Sequence, residues 1–330
     1  MGSENLNWTE EDEQKHREIM DRPSRSKEEI EADLKGPVKE EVSFLGTPDI
    51  IQSYSDFYEL VEKFHEQYPF FYDQNKMWWR WDKENYKWMM CDDTDLLSCL
   101  SKKVYGGKTL TIKSQAKNEI LEAMKQLGRS NTPLEIKSTW VQFHDKIIDI
   151  KTNEEFQASP KYFVCNPLPH KLGGSEDTPH FDKLFESWNK DKENLYEVMA
   201  FSMVPEYFIQ RMIFLFGGGR NGKSTYITIM KEFLGESNCT SSDLDVLMGS
   251  RFEAARLYKK LICTFGETNF GLMEKTSTIK RLTGNDMIGM EFKNKNPFTY
   301  CNYCKTIVAT NSIPPTTDKT EGFYRRCFVI

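Results

Sequence analysis

The sequence predicts an α/β fold, in which a parallel sheet forms the core of the last third of the chain and a smaller α+β domain precedes it. The first observation is a set of four short apolar runs, at Met212–Phe216, Leu261–Phe265, Thr306–Thr310 and Cys327–Ile330. Continuous apolar runs separated by helical or loop stretches are typical of parallel strands buried on both faces. The second observation is the mixture of helical spacing and strand-like alternation earlier in the chain, which indicates a separate α+β unit.

Composition divides the chain of 330 residues into a tail and two domains. Residues 1–46 contain 13 Asp or Glu against 7 Lys or Arg and few large apolar side chains, so we expect a disordered acidic tail. A loop-like segment with several Pro and Gly residues, 166–175, marks a boundary region. The predicted units are therefore the tail, an α+β domain with a helical end over residues 47–200, and the sheet domain over residues 201–330.

Within the α+β domain, apolar residues at helical spacing predict helices over residues 49–68, 93–103 and 112–127. Alternating aromatic residues on both sides of a polar turn predict a β-hairpin between residues 77 and 89. Its tryptophans either pack in an aromatic core or stack on the bases of a nucleic acid. We expect packing, although alternation puts Trp79 and Trp78 on opposite faces and leaves open that one face is exposed.

Two further segments lead towards the sheet domain. Residues 140–150 alternate and are predicted to form a strand, with a turn at Thr152 and Asn153. Residues 181–203 show helical spacing and predict a helix that leads directly into the core.

The most informative motif follows the first apolar run of the core. Residues 217–224 read Gly-Gly-Gly-Arg-Asn-Gly-Lys-Ser, which matches the phosphate-binding pattern G-x-x-x-x-G-K-[ST]. A helical pattern from Thr225 to Leu234 comes next and stops at Gly235. A strand, a Gly-rich loop and a helix in this order are the arrangement that a nucleotide site requires. The alternative is a chance Gly-rich turn before a helix.

The residue types of this loop predict its chemistry. Its glycines let successive backbone N–H groups point at one anion, and the helix that follows adds the partial positive charge of its N-terminus. We expect Lys223 to contact the β- and γ-phosphates and Ser224 to hold Mg²⁺ through its hydroxyl. The predicted nucleotide-binding residues are Gly217, Gly218, Gly219, Arg220, Asn221, Gly222, Lys223, Ser224 and Thr225.

Two polar residues follow apolar runs where open α/β sheets bind ligands. Glu267 closely follows Leu261–Phe265, and we expect it to help hold Mg²⁺, to polarise the attacking water, or both. Its alternative role is that of an exposed loop residue. Asn311 directly follows Thr306–Thr310 and is a candidate sensor of the γ-phosphate, although an Asn at this position also suits the start of a turn.

Two pairs of basic residues complete the candidate site. Arg325 and Arg326 precede the last apolar run and are candidates for an arginine finger, or alternatively belong to a surface ion pair. Lys293 and Lys295 lie at the tip of a predicted hairpin after a strand at Met287–Phe292. They suit contact with a phosphate backbone, whereas the alternative is that they only supply good turn chemistry.

Composition also bears on the compartment and on metals. No apolar run approaches the roughly 18–20 residues of a membrane span, and no secretory leader is visible, so we expect a cytoplasmic protein with free thiols. Cys301 and Cys304 form a lone C-x-x-C pair, which favours strand cysteines over a structural zinc site.

These motifs, taken in order, resemble the superfamily 3 helicases, in the branch of phage and plasmid primase–helicases and poxvirus-type helicase–primases. The resemblance is specific over residues 205–330 and weaker over residues 55–200. The matching segments of the specific part are Gly217–Thr225, Gly249–Phe252 with Lys259–Leu261, Phe265–Glu267, Lys280–Asp286, Ala309–Asn311 with Pro314, and Gly322–Arg326.

The resemblance implies an AAA+-like P-loop ATPase domain that uses ATP and Mg²⁺ as a replicative DNA helicase of a plasmid, phage, virus or integrated element. It implies a homo-oligomer, a hexamer, with ATP between subunits and Arg325 or Arg326 acting in trans. Single-stranded and forked DNA are the implied partners, with Lys293 and Lys295 lining the central channel. A primase domain or other replication proteins are further possible partners, and no membrane is implied.

Two features keep an alternative open. Gly266 stands before Glu267, so no carboxylate pair is present there, and one acid must do both jobs. The sequence stops inside an apolar run at Ile330, from which we expect a fragment. The alternative function is a nucleotide-dependent, ring-forming DNA-binding initiator or assembly module that does not unwind DNA. Another kind of P-loop enzyme, such as a small-molecule kinase, fits the basic residues less well.

Overall fold

The structure is a computed structural model that describes residues 57–104, 114–266, 276–293, 295–312, 315–316, 318 and 320–330. The predicted acidic tail, the first part of the predicted helix over residues 49–68, and Glu267 lie outside the described residues.

The first half of the described chain contains helices and two antiparallel sheets of three strands each. Its elements in chain order are α1 (Phe57–Gln67), β1 (Phe70–Tyr72), β2 (Trp78–Asp82), β3 (Lys87–Cys91), α2 (Asp93–Val104), α3 (Ser114–Ser130), β4 (Trp140–Phe143), β5 (Lys146–Asp149), β6 (Glu154–Gln157), α4 (Pro179–Trp188) and α5 (Glu193–Met203).

The predicted aromatic hairpin is confirmed as β2 and β3, which pair antiparallel, and β1 adds a third strand. Both faces of this sheet are covered. Trp78 is 1% exposed and packs with the helices α1, α2 and α3, whereas Trp79 is 3% exposed and belongs to the large cluster that continues into the second half of the chain. The tryptophans are therefore core residues, and neither of these two is available to stack on a base.

Two predicted segments are each divided in the structure. The predicted strand over residues 140–150 is two strands, β4 and β5, joined by a tight turn in which His144 has a φ of 42°. The predicted single helix over residues 181–203 is two helices, α4 and α5. The chain leaves helical geometry at Asn189, which is extended at φ −138° and ψ 134°.

The second half of the described chain is built on a parallel sheet. Its elements are β7 (Met212–Phe216), α6 (Lys223–Leu234), a 3₁₀ turn (Glu236–Asn238), β8 (Cys239–Ser241), α7 (Leu244–Gly249), α8 (Arg251–Ala254), a 3₁₀ turn (Ala255–Leu257), β9 (Ile262–Phe265), α9 (Thr276–Leu282), β10 (Met287–Met290), β11 (Phe298–Cys301), β12 (Lys305–Thr310), α10 (Glu321–Tyr324) and β13 (Cys327–Val329).

The five-stranded sheet has the order β13-β7-β12-β9-β8, and every pair in it is parallel. The four predicted apolar runs are confirmed as four of its strands. β9 and β12 are buried at every position, as expected for strands covered on both faces. The edge strand β8 is short and polar, and no sequence pattern predicted it.

The two halves of the described chain share one core. Trp79 and Phe163 of the first half pack with Tyr258 of the second half in the same apolar cluster. Polar contacts join them as well, since the Asn166 amide donates to the backbone oxygen of Lys259 over 2.9 Å. Among the described helices, none is long and apolar enough to cross a membrane.

Candidate active site

The Gly-rich loop joins the strand β7, which lies beside the central strand β12, to the helix α6, as the motif predicts. β7 ends at Phe216, and α6 begins at Lys223 after Gly222, which adopts a left-handed φ of 85°. The start of the loop is tied to the neighbouring strand, because the Gly217 N–H donates to the Thr310 oxygen at 3.2 Å. The loop is thereby held at the edge of the sheet where the parallel strands end.

Lys223 is 8% exposed, and its ammonium is held at the mouth of the loop. It donates to the Gly217 backbone oxygen at 2.5 Å, to Asn221 Oδ1 at 3.0 Å and to Asn311 Oδ1 at 2.9 Å. An ammonium has three donors, and here each has an oxygen partner. The structure therefore brings together the predicted phosphate lysine and the predicted sensor, although they are far apart in the sequence.

Two glycines of the loop are required by close approaches. A Cβ on Gly217 would lie 1.5 Å from Asn221 Nδ2, since the Asn221 side chain folds back over the loop. A Cβ on Gly222 would lie 2.3 Å from the indole of Trp188. Trp188 ends α4 and also lies against Tyr226 of α6, so it supports the loop from behind. No sequence pattern signals this role, since the residue reads as one more apolar position of a helix.

The donor set fits a nucleoside triphosphate with its metal. Cβ atoms on Gly218 and Gly219 would meet nothing within 4 Å, so the front of the loop is open. Backbone N–H groups, a helix N-terminus and an ammonium are the donors that bind phosphate. Lys223 and the backbone of the loop would hold the phosphates, and the exposed hydroxyl of Ser224 would hold Mg²⁺.

The strand before Glu267 ends next to the strand before Asn311. β9 pairs with β12 in parallel, with Phe265 opposite Val308. The last described residue after β9 is Gly266, and Glu267 lies outside the described part of the chain.

Arg325 and Arg326 are not brought to Lys223 of the same chain. The Arg326 backbone oxygen accepts from Met212 N, at the start of β7, whereas the Gly-rich loop follows the end of β7. A five-residue strand separates these points by about 13 Å.

The two arginines differ in their surroundings. The Arg326 guanidinium donates to Thr283 Oγ1 at 3.1 Å and to the Gly322 oxygen at 2.5 Å. Its partial burial and the neighbouring Arg325 lower its pKa from the usual value. Arg325 is exposed. Of the pair, Arg325 is therefore the one whose side chain faces solvent.

The predicted basic hairpin is confirmed as β10 and β11, which pair antiparallel. Lys293 and Lys295 lie in the connection between these strands, and both are exposed. The Lys295 N–H donates to the Phe292 oxygen at 2.9 Å, so the tip is a closed turn that presents both lysines to solvent.

Comparison with known proteins identifies relatives of the fold. A family model described as a family of unknown function, DUF5906, matches residues 215–326. No curated protein matches the chain. Two apo structures of the NrS-1 C-terminal region are similar to it, with TM-scores of 0.54 and 0.53 and identities of 15% and 16%.

These alignments cover 83% and 84% of this chain, and 61% and 62% of the NrS-1 chains, so the chain spans about three fifths of their length. A JCV helicase structure aligns over 45% of this chain and 42% of its own, with 14% identity and a TM-score of 0.32. At 15–16% identity, the NrS-1 likeness concerns the fold, a mixed α/β architecture with a five-stranded parallel sheet.

Proposed function

We propose that the chain carries the ATPase motor of a replicative DNA helicase, which uses ATP and Mg²⁺ to move along single-stranded DNA. One observation carries the proposal. The Nζ atom of Lys223, at the start of the helix after the Gly-rich loop, lies 2.9 Å from Oδ1 of Asn311, which follows the neighbouring strand. A phosphate-binding lysine and a polar sensor on adjacent parallel strands are what an NTPase needs on the two sides of a γ-phosphate.

In this proposal, bound ATP with Mg²⁺ supplies the phosphoanhydride bond that water cleaves. Lys223 exchanges its intramolecular oxygen partners for phosphate oxygens and neutralises their charge. Asn311, released from Lys223, orients the water at the γ-phosphate, and Glu267 polarises that water. In this proposal, nucleotide binding therefore breaks the contact between Lys223 and Asn311.

The motifs that resemble superfamily 3 helicases support the DNA partner and the ring. Lys293 and Lys295 at the exposed hairpin tip suit a DNA backbone. Arg325, on the sheet edge opposite the loop, suits a site completed by a neighbouring subunit. A homo-hexamer with ATP between subunits, linked to a primase or other replication proteins, is the corresponding assembly.

The test is ATP turnover with and without single-stranded DNA. We expect DNA to raise turnover, Lys223→Ala to lower it at least about 100-fold, and Asn311→Ala to lower it about 10- to 100-fold. Lys231→Ala, on the same helix but away from the loop, is the matched control and should turn over ATP normally. Normal turnover in both Lys223→Ala and Asn311→Ala would refute the proposal.

A second candidate, the DNA-binding initiator or assembly module that does not unwind, is favoured by the lone acid after Gly266. The two functions differ in one measurement, strand displacement on a forked duplex. ATP-dependent displacement that Lys223→Ala abolishes would eliminate the second candidate. ATP turnover and DNA binding without displacement would favour it.

A further inference from the structure

A second cavity lies away from the Gly-rich loop, between the first half of the chain and the base of the β10–β11 hairpin. Its volume is about 530 Å³, and it adjoins a smaller cavity of about 190 Å³. The residues that line both are Glu135, Phe163, Lys259, Tyr300 and Cys301. We call the joined space the hairpin cleft. Lys259 precedes β9 and Cys301 precedes β12, so the cleft lies where the parallel strands begin, at the sheet edge opposite the Gly-rich loop.

Two cations line the hairpin cleft, and each lies over aromatic rings instead of a carboxylate. The Arg129 guanidinium is 4.9 Å from the ring centre of Tyr72. The Lys259 ammonium is 4.3 Å from the ring centre of Phe163 and 5.9 Å from that of Tyr300. Neither cation forms an ion pair with any residue that the structure describes.

The backbone conformation of Lys259 is held in place by its surroundings. Its φ is 55°, a left-handed conformation that is strained for a residue with a Cβ. The Asn166 amide holds it there by donating to the Lys259 oxygen at 2.9 Å. The surrounding structure therefore imposes this conformation and directs an uncompensated cation into the cleft.

Tyr300 contributes a buried hydroxyl that lacks a hydrogen bond of normal geometry within the described part of the chain. Its neighbour Tyr303 donates its own hydroxyl hydrogen to Asn166 Oδ1 at 2.6 Å, so towards Tyr300 it can only accept. A buried polar group without a well-formed hydrogen bond is costly, and a ligand with a hydrogen-bonding edge would reduce that cost.

The cleft also has two carboxylates, and neither forms an ion pair with its cations in the part of the chain that the structure describes. The Asp73 carboxylate is held by neutral donors, because Oδ1 accepts from the Met77 N–H and Oδ2 accepts from Trp79 Nε1, both at 2.9 Å. Glu135 is exposed at the rim. It would repel a phosphate placed beside it, but it can accept an N–H from the edge of a base.

We propose that the hairpin cleft binds a nucleotide unit of single-stranded DNA, with its phosphate on Arg129 and Lys259 and the edge of its base at the Tyr300 hydroxyl. The volume lies within the roughly 300–1,000 Å³ of small-molecule sites. Aromatic rings combined with Lys and Arg are what single-strand-binding proteins use. The inference rests on the proposed function, and places a second DNA contact at the base of the hairpin whose tip carries Lys293 and Lys295. A free mononucleotide has the same chemistry, and the test separates the two sources.

The experiment measures the anisotropy of a labelled short oligo-dT without ATP, in the Lys223→Ala background so that the Gly-rich loop does not contribute. Arg129→Gln/Lys259→Gln should weaken binding about 10-fold or more. It should also reduce the slope of log affinity against log salt by about 0.7 for each phosphate that the protein no longer neutralises. Tyr300→Phe should weaken binding about 5-fold, as expected for one hydrogen bond.

The matched control is Lys117→Gln/Lys171→Gln, which removes the same charge from exposed positions away from the cleft and should bind oligo-dT normally. Thermal melts establish that each variant is folded. Competition with unlabelled dTMP distinguishes single-stranded DNA from a free mononucleotide as the ligand. If the cleft binds DNA, dTMP at the same nucleotide concentration should displace little of the oligo-dT.

Three outcomes would overturn the hairpin cleft as a DNA site. The first is that the double variant of the cleft and the double variant used as control bind oligo-dT equally well, and only Lys293→Gln/Lys295→Gln binds it more weakly. That result would leave the proposed function unaffected. Full displacement of oligo-dT by dTMP at equal nucleotide concentration would assign the cleft to free nucleotides. Absence of oligo-dT binding by folded Lys223→Ala protein would refute the cleft proposal. The proposed function is decided separately, by whether DNA stimulates ATP turnover in the unmodified protein.

Discussion

At the residue scale, the candidate site depends on two side chains that press on glycines of the loop. Asn221 belongs to the motif and presses on Gly217 from within, whereas Trp188 ends α4 and presses on Gly222 from behind. No motif names Trp188, because its contact depends on where the chain returns in space. The motif letters therefore predict which residues touch phosphate, and the packing decides whether the loop is preformed.

Gly222→Ala should disrupt the loop. Its φ of 85° is strained for any residue with a Cβ, and the new methyl would lie 2.3 Å from the Trp188 indole. We expect a loss of roughly 1–3 kcal/mol in the free energy of unfolding and at least about 10-fold weaker nucleotide binding. Urea denaturation and titration with a fluorescent ATP analogue measure the two effects.

Gly218→Ala is the control for that experiment. Its Cβ would meet nothing within 4 Å, and its φ is not in the left-handed range, so stability should change by less than about 0.5 kcal/mol. Equal destabilisation of the two variants would show that Trp188 does not press on the loop.

Lys305 should make the stability of the protein depend on pH. It is 0% exposed in β12, its ammonium donates to the Val204 oxygen, and it lies 4.9 Å from the ring centre of Phe201. Burial lowers its pKa to about 7, from 10.5. Between these values the unfolded chain binds the extra proton, so the free energy of unfolding rises with pH, by up to about 1.4 kcal/mol per unit. Below about pH 7 the cost of the buried charge is fully present.

The measurement is urea denaturation of the protein and of Lys305→Met at about pH 7.5 and 9.5. As pH rises, the free energy of unfolding of the unmodified protein should increase relative to that of Lys305→Met, since the variant lacks the titrating group. Lys171→Met, at an exposed position, should follow the unmodified protein. Parallel pH profiles for the protein and Lys305→Met would contradict the assignment.

At the scale of elements, the sequence predicts the continuous apolar strands and misses the chain reversals that lack the usual turn residues. The strands β7, β9 and β12 were predictable because buried parallel strands have no polar alternation. The break between β4 and β5 was not, since the left-handed turn position is His144 instead of Gly or Asn. The helix break at Asn189 had a weak signal in the polar segment around it. Likewise, the sequence predicted Lys223 and Asn311, but their contact depends on strand order, which no local pattern contains.

Tyr258 should act as the base on which the β10–β11 hairpin rests. Its ring centre lies 5.9 Å from that of Phe292, 5.1 Å from Phe298 and 4.7 Å from Tyr300. Removing this ring in Tyr258→Ala should cost about 3–5 kcal/mol and increase amide hydrogen exchange in residues 287–301. Tyr258→Phe keeps the ring contacts and should stay within about 1.5 kcal/mol of the unmodified protein. Unchanged exchange in Tyr258→Ala would mean that the hairpin is held from elsewhere.

At the scale of the whole molecule, the parallel sheet separates the two proposed sites, which lie at its opposite edges. The strand ends carry the Gly-rich loop and Asn311, whereas the strand starts carry the hairpin cleft and lie next to the arginine pair. Arg325 is more than a side-chain length from the loop of its own chain, since the whole of β7 lies between them. If both take part in ATP hydrolysis, each active site must be shared by two subunits.

Mixing two inactive variants tests this arrangement. Arg325→Ala should lower ATP turnover by about 10³-fold or more without loss of thermal stability, because the side chain is exposed. Arg326→Ala should lower stability instead, since it removes the hydrogen bonds to Thr283 and Gly322. When Arg325→Ala and Lys223→Ala chains are mixed, a site that pairs the intact loop of one with the intact arginine of the other should recover turnover. The recovery should depend on protein concentration, because it requires assembly. No recovery at any mixing ratio, with both variants folded and assembling normally, would mean that Arg325 does not complete a neighbour's site.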